Sequence, residues 1–248
     1  MVASILHASD QGLASDGSAH NLMERLSFYK ASTLGLGMSD QECFDLASRS
    51  RLRTFHRQDR LFMQGEPQRE LFLLRSGYVK LTQLSHSGSE VLLWICGPGS
   101  VLGIRAEMNA RPYSCSAHAV KPCTAWSWDH EAIAFLMARN PRLRQNMSAI
   151  LMDRVHELEE RFRELATENV SRRLALALVR LSKEIGSQGP KGTEISLSRE
   201  EMAQMTGTTL FSISRIISQW AKQKLVLPGR QTVVIPDMRR IESLALEE

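Results

Sequence analysis

The stretch "SREEMAQMTGTTLFSISRIISQW", Ser198 to Trp220, gathers Thr208, Thr209, Ser212, Ser214, Arg215 and Ser218 beside Leu210 and Phe211. These types at this spacing make no nucleophile–base pair and no metal set. A single arginine among short hydroxyls suits hydrogen bonding to a polar surface that comes close. An arginine can donate two hydrogen bonds to guanine O6 and N7, worth about 1–3 kcal/mol of base discrimination. Thr209 and Ser212, near a helix start, suit phosphate oxygens, and Phe211 can lie against a thymine methyl.

That chemistry needs a scaffold, and the same stretch encodes one. Ser198 with Glu201 three residues on is a capping box opening a first helix. Gly207 can take the left-handed conformation of a tight corner, and Thr208 or Thr209 then caps a second helix. On that helix Ile213, Ile216, Ile217 and Trp220 fall at i, i+3, i+4 and i+7, a buried stripe. Phe211, Ser214, Arg215 and Ser218 have the same spacing on another face. The pattern predicts a helix–turn–helix with its second helix as the reader of DNA. In a plain helical hairpin Arg215 would be a solvated charge. The surroundings favour DNA: residues 1–137 are charge-neutral, whereas residues 168–240 carry a net +6. "KLVLPGRQTVVIPD" adds two short strands around Gly229, a β-wing.

Upstream of "VSRRLALALVRLSKEIG", a further helix after Asn169, "RLRQNMSAILMDRVHELEERFRELATEN" predicts one long helix. Leu143, Met147, Ile150, Leu151, Leu158, Phe162 and Leu165 form a broad stripe on it, which favours pairing with a second copy. Met147, Ile150, Leu151, Arg154, Leu158, Phe162 and Leu165 are the expected dimer residues. From Leu52 to Trp128, "LRTF", "RLFMQ", "ELFLLR", "YVKLTQL", "VLLWIC" and "TAWSW" alternate with Gly, Pro and Ser turns and predict a small sandwich or barrel. Ser39 with Glu42 is another capping box, and Pro141 marks a break between helices.

The 248 residues, 43% apolar, suffice for two domains. No apolar run is long enough for a membrane span and the start lacks a signal-peptide pattern, so a cytoplasmic protein is expected. Cys43, Cys96, Cys115 and Cys123 form no CxxC pair, which favours free thiols. The expected division is a disordered segment 1–20, a β-roll sensor 21–137, a dimerisation helix 138–167 and a winged unit 168–248. Nothing resembles paired catalytic carboxylates or a nucleophile elbow, so no enzyme is expected.

With these pieces in place the sequence resembles the CRP/FNR superfamily of bacterial transcription regulators over about residues 21–245. "LFMQGEPQRELFLLRSGYVKLTQLSHSGSEVLLWICGPGSVLG", the long helix with a hinge near Thr167–Val170, and "LSREEMAQMTGTTLFSISRIISQWAKQKLV" carry the resemblance. "MTGTTLFSISR" is similar to members that respond to nitrogen oxides. The resemblance implies an α+β chain: a cyclic-nucleotide-binding-like β-roll (a jelly roll), a dimer helix and a winged helix–turn–helix. It further implies a homodimer on near-palindromic double-stranded DNA. RNA polymerase is an implied partner, with an activator needing a surface patch for it.

The implied effector pocket comprises Leu102, Gly103, Ile104, Arg111, Tyr113, Ser114 and Cys115. Members that bind cyclic AMP carry Gly-Glu and Arg-Ser pairs where this chain has Gly103-Ile104 and Tyr113-Ser114. Without the arginine a buried anion lacks its charged partner, with only Arg111 nearby as a substitute. Cyclic AMP is therefore disfavoured, and a cyclic-nucleotide-binding regulatory module is the alternative function. An iron–sulfur cluster is disfavoured because residues 1–40 contain no cysteine. Haem sensing nitric oxide or another gas is a candidate signal, with His56, His86, His118, Cys115 or Met108 as axial ligands. A redox thiol at Cys115 or Cys123 is a further candidate, as is a regulator with no effector. Where relatives place Arg-Glu or Val-Glu this chain has Leu210 and Phe211, which predicts a half-site keeping the guanine read by Arg215 with different neighbours.

Overall fold

The computed structural model describes residues 17–86, 88–104 and 112–246. Its helices and strands follow the turn and cap residues closely. Helix α1 (Gly17–Ala31) and helix α2 (Asp40–Arg49) lead into the strands. Helix α2 opens on the expected box, Ser39 accepting from the Glu42 amide while the Glu42 carboxylate accepts from the Ser39 amide. Helix α1 starts at Gly17, inside the segment 1–20 read from the sequence as lacking structure. The rest of that segment lies outside the described residues.

Eight strands form the β-roll: β1 (Arg51–Phe55), β2 (Arg60–Phe62), β3 (Glu70–Ser76), β4 (Val79–Leu84), β5 (Glu90–Cys96), β6 (Val101–Leu102), β7 (Ser116–Ala119) and β8 (Cys123–Asp129). They make two antiparallel sheets, ordered β1-β8-β3-β6 and β2-β7-β4-β5. Six of these were legible as apolar runs. β6 is two residues long and β7 is Ser-Ala-His-Ala, so neither carries a run to read. Between the sheets lie Phe55, Phe62, Phe72, Leu81, Leu102 and Tyr113. The outer side of the first sheet packs on α1 and α2 through Tyr29, Leu46, Trp126 and Trp128. There the Trp128 indole donates to the Leu46 carbonyl at 2.9 Å, satisfying a polar atom in a fully buried side chain.

Helix α3 (His130–Arg139) ends at Asn140, which caps α4 (Pro141–Thr167) by accepting from the Leu143 amide at 3.1 Å. Pro141 sits where a missing N–H costs nothing, so it starts the new helix. Glu168 ends α4 and Asn169 caps α5 (Val170–Ile185), which makes the hinge. The polar stretch "SQGPKGTE" forms a hairpin, β9 (Ser187–Gly189) and β10 (Gly192–Ile195). All three residues of β9 are exposed, so it has no apolar period, and Gly192 at φ 120 allows the turn. Helices α6 (Arg199–Thr206) and α7 (Leu210–Lys222), strands β11 (Leu227–Pro228) and β12 (Val233–Ile235), and helix α8 (Met238–Leu246) complete the chain. The wing is thus a four-stranded sheet, β11-β12-β10-β9, larger than the two strands expected. Helix α8, which the sequence reading ended short of, buries Ile241 and Ala245 against α5.

The second unit shares its core with the first. Leu92 and Ile95 of β5 lie in the same apolar cluster as Leu174, Leu178, Ile217 and Trp220. Lys80 of β4 pairs with Glu201 of α6 at 3.7 Å across the same junction. No helix among the described residues is long and apolar enough to cross a membrane.

Candidate nucleic-acid interface and sensor site

The corner between α6 and α7 is built as the residue types demand. Ser198 and Glu201 close both halves of the box at the start of α6. Gly207 ends the helix at φ 60, ψ 44, left-handed geometry that a side-chain-bearing residue adopts only at a cost of about 1–2 kcal/mol. The cap of α7 is Thr209, whose hydroxyl accepts from the Ser212 amide at 3.2 Å. Thr208 instead donates its amide to the Ala203 carbonyl, tying the corner to α6.

The stripe Ile213, Ile216, Ile217 and Trp220 is buried as its spacing requires. The opposite side of α7 faces out. Phe211 is 76% exposed, Leu210 and Arg215 are exposed with it, and Ser212 and Ser214 are half-buried between them. Among the described residues Arg215 has no carboxylate or carbonyl partner, so its donors are uncommitted. Thr209 and Ser218 are exposed at the two ends of this face. A guanidinium without a partner among the described residues, set between short hydroxyls and two exposed apolar side chains, has the chemistry that suits base edges, with amides at the helix start suited to phosphate.

The long helix divides its expected dimer residues between those covered by the β-roll and those left exposed. At about 100° per residue, Leu151, Val155, Leu158, Phe162 and Leu165 follow a four–three–four–three spacing and share one seam. Val155, Leu158, Phe162 and Leu165 are exposed on it, Phe162 by 74%. The seam member that sequence reading missed is Val155, although its spacing from Leu151 and Leu158 was the signal. Met147, at the same angular position as Leu165 five turns on, Ile150 and Arg154 are engaged with the chain's own β-roll. Met147 is 4% exposed in the core beneath the β-roll, and Ile150 packs against that core. Arg154 turns inward and donates to the Val101 carbonyl at 2.5 Å. The broad stripe is covered by the chain's own β-roll at Met147 and Ile150 and left exposed from Val155 to Leu165.

The expected effector residues also divide. Tyr113 is 7% exposed, its ring stacked on Phe62 with centroids 4.1 Å apart and planes 12° from parallel. Its hydroxyl donates to the Glu70 carbonyl at 2.9 Å and accepts from the Glu70 amide at 3.2 Å. Leu102 is fully buried in the same cluster and Cys115 packs at its edge. Gly103 stands at φ 73 against the Glu70 carbonyl, where a Cβ would lie at 2.7 Å. Ile104 packs instead toward the helices, and Ser114 is exposed. Arg111 and Met108 lie outside the described residues.

The histidine candidates for haem stand in unlike places. His56 and His86 are exposed on turns, and His118 is half-buried on β7 opposite Lys80. Burial and the nearby Lys80 and Arg60 charges push the His118 imidazole below its usual pKa. Among the described residues no three His, Cys, Asp or Glu side chains are placed to share a metal ion. The thiol candidates sit where burial stabilises the neutral form. Burial raises Cys115, and Cys123 is pushed up to about 11 by burial and then by Asp59. Since the thiolate is the reacting form, both positions disfavour a redox thiol.

Known families match both halves of this architecture. Residues 52–140 match the cyclic nucleotide-binding domain and residues 172–244 the Crp-like helix-turn-helix domain.

The chain belongs to the CRP/FNR superfamily of transcription regulators.

A CRP-like cAMP-activated global transcriptional regulator of Mycobacterium tuberculosis is 26% identical over 189 residues, which cover 75% of this chain and 84% of that one. A cyclic AMP receptor protein of Thermus thermophilus is 28% identical over 216 residues, covering 87% and 98%. Among solved structures, the c-di-GMP responsive global regulator CLP of Xanthomonas campestris shares the fold, with a TM-score of 0.71 and 21% identity. That match covers 80% of this chain and 100% of the other. As a CRP/FNR regulator the protein is a transcription regulator with a cyclic-nucleotide-binding domain and a helix–turn–helix, not an enzyme.

Proposed function

We propose that this CRP/FNR regulator binds a near-palindromic DNA site as a homodimer, each α7 reading one half-site in the major groove. The observation that carries the reading is Arg215, exposed on α7 with no acidic partner among the described residues, beside the exposed Phe211 and Leu210. The seam Leu151, Val155, Leu158, Phe162 and Leu165 supplies the pairing surface. Two copies joined there would present their α7 helices to half-sites about 34 Å apart. The proposed units are those read from the sequence: the β-roll over 21–137, the dimer helix over 138–167 and the winged unit over 168–248. RNA polymerase is the further partner if binding activates transcription.

The signal is something other than cyclic AMP. Tyr113 occupies the position of the arginine that would meet a cyclic phosphate, and it is committed to Phe62 and Glu70. This disfavours the alternative function as a cyclic-nucleotide-binding module, which would also leave α7 unused. A haem-borne gas signal needs a buried axial ligand, and the exposed His56 and His86 are poor ones. A haem titration of the purified protein should give no saturable Soret band. A one-per-subunit spectrum lost on replacing His118 would restore that signal.

Selection of binding sites from random duplexes tests the main reading. The expected product is an inverted repeat with half-sites one helical turn apart, each retaining a guanine and differing beside it from either main relative. Recovery of no motif, or of a relative's standard half-site, would refute the α7 assignment.

A further inference from the structure

We propose that the cavity between β5, α4 and α5 binds a small oxyanion, a carboxylate or a phosphate, and that its occupant is the signal passed to the DNA-binding unit. The second clause rests on the regulator reading above, and the first does not. The cavity has a volume of about 530 Å³. Trp94 and Cys96 of β5 form one wall, Pro98 to Val101 the floor, and α4 and α5 the remaining sides.

Its charge is organised around cations from both helices. Arg154 and Arg161 come from α4 and flank the Trp94 ring, their guanidinium carbons 5.6 and 5.8 Å from its centroid. Arg180 and Lys183 come from α5. Two of the four are neutralised within the protein. Arg161 lies 3.6 Å from Glu157, and Arg180 donates both terminal nitrogens to the buried Glu164. Among the described residues Arg154 and Lys183 have no carboxylate within ion-pair distance; Arg154 donates one nitrogen to the neutral Val101 carbonyl, so each wall carries one cation whose charge no acid offsets. The Nε atoms of Arg161 and Arg180 are also buried without an acceptor, so the cluster holds more donors than the protein satisfies.

The acids on the walls do not reverse this balance. Glu157 is committed to Arg161 and accepts the Trp94 indole proton at 2.8 Å. Burial, then the neighbouring Glu157, raises the Glu184 carboxyl above its usual range. Asp153 is exposed at the rim.

Position gives the site its consequence. Arg154 belongs to the helix that packs on the β-roll, whereas Lys183 belongs to the first helix of the DNA-binding unit. An anion held by both ties the two walls together beside the shared Leu92 and Ile95 core. The β-roll interior near Tyr113 is by contrast filled by Phe62, Phe72 and Leu102.

The test is tryptophan fluorescence of the full chain, titrated with sodium phosphate and separately with sodium succinate at constant ionic strength, with sodium chloride as reference. A saturable change from one anion is expected, absent in Trp94→Phe. Its midpoint should rise about tenfold or more in Arg154→Gln and in Lys183→Gln. Saturation by phosphate or by succinate identifies the source of the oxyanion. A response no larger than that of chloride, or one undiminished in Lys183→Gln, which removes an exposed side chain, overturns the site. If the site saturates and DNA affinity changes by less than twofold, its role as the signal fails. DNA binding measured without either anion tests the regulator reading separately.

Discussion

The outer face of α7, the proposed DNA-reading surface, and the lip of the β-roll around Tyr113, where the resemblance implied an effector pocket, are built in opposite ways. On α7 the polar and apolar groups point outward, Arg215 has no carboxylate or carbonyl partner among the described residues and Phe211 is exposed, which suits the proposed DNA contact. At the lip, Tyr113 is stacked on Phe62 and bonded twice to the Glu70 backbone, so the chain has filled that space itself. The contrast teaches that residues aligned by one family resemblance can be left open at one end of a chain and packed shut at the other. The same division runs along α4, where Met147 and Arg154 serve the protein's own core while Val155 and Phe162 are exposed on the proposed pairing seam.

The largest effect that would break this comparison is at the open seam. Phe162→Lys places a charge in the middle of the pairing surface. Sedimentation should then show a monomer, with affinity for a full site lower by about a hundredfold or more, because the two half-sites no longer act together. A dimer that survives this change would remove the seam from the account. At the filled lip, Tyr113→Ala should cost about 3 kcal/mol in denaturant unfolding through the cavity it leaves. Tyr113→Phe should cost only about 1 kcal/mol for its hydrogen bonds. If Tyr113→Ala is as stable as the parent, the ring is not structural, and the contrast with α7 collapses.

Smaller changes sharpen the comparison. Gly207→Ala forces a side chain into left-handed geometry and brings its Cβ to 2.9 Å from Leu165 Cδ2. The leucine end can move, so the backbone conformation should set the loss, about 1–2 kcal/mol in thermal unfolding. The smallest effect concerns His118, whose folded pKa lies below its unfolded value because burial and Lys80 disfavour the cation. As pH falls through about 6.5 the unfolded chain takes up the proton first, so stability declines toward acid. His118→Asn should flatten that slope between pH 7 and 5, and an unchanged slope would assign it to other groups.

Much of this architecture was legible because local residue types decide it. Ser39, Ser198, Thr209, Asn169 and Pro141 mark helix starts that the structure keeps, and Ile213, Ile216, Ile217 and Trp220 are buried as their spacing requires. The exposed face of α7 followed from that stripe by subtraction. The hairpin β9–β10 was hidden because an exposed, polar strand has no hydrophobic period. On α4 the periodicity was visible but its partition was not. Leu143 to Leu165 forms one broad stripe in sequence, and only the position of the β-roll decides that Met147 and Ile150 turn inward. The cavity at the junction was hidden for a different reason. Trp94, Arg154 and Lys183 lie far apart in sequence, and the fold alone brings them to one place.

The most direct test of the central claim is a fluorescence-anisotropy titration of a selected duplex and a scrambled duplex with the parent and with Arg215→Ala, at one fixed salt concentration. The account predicts that Arg215→Ala loses about 1–3 kcal/mol on the selected duplex while its affinity for the scrambled one stays nearly unchanged. Equal losses on both duplexes would make Arg215 a phosphate contact and contradict the assignment of α7 as the base-reading element.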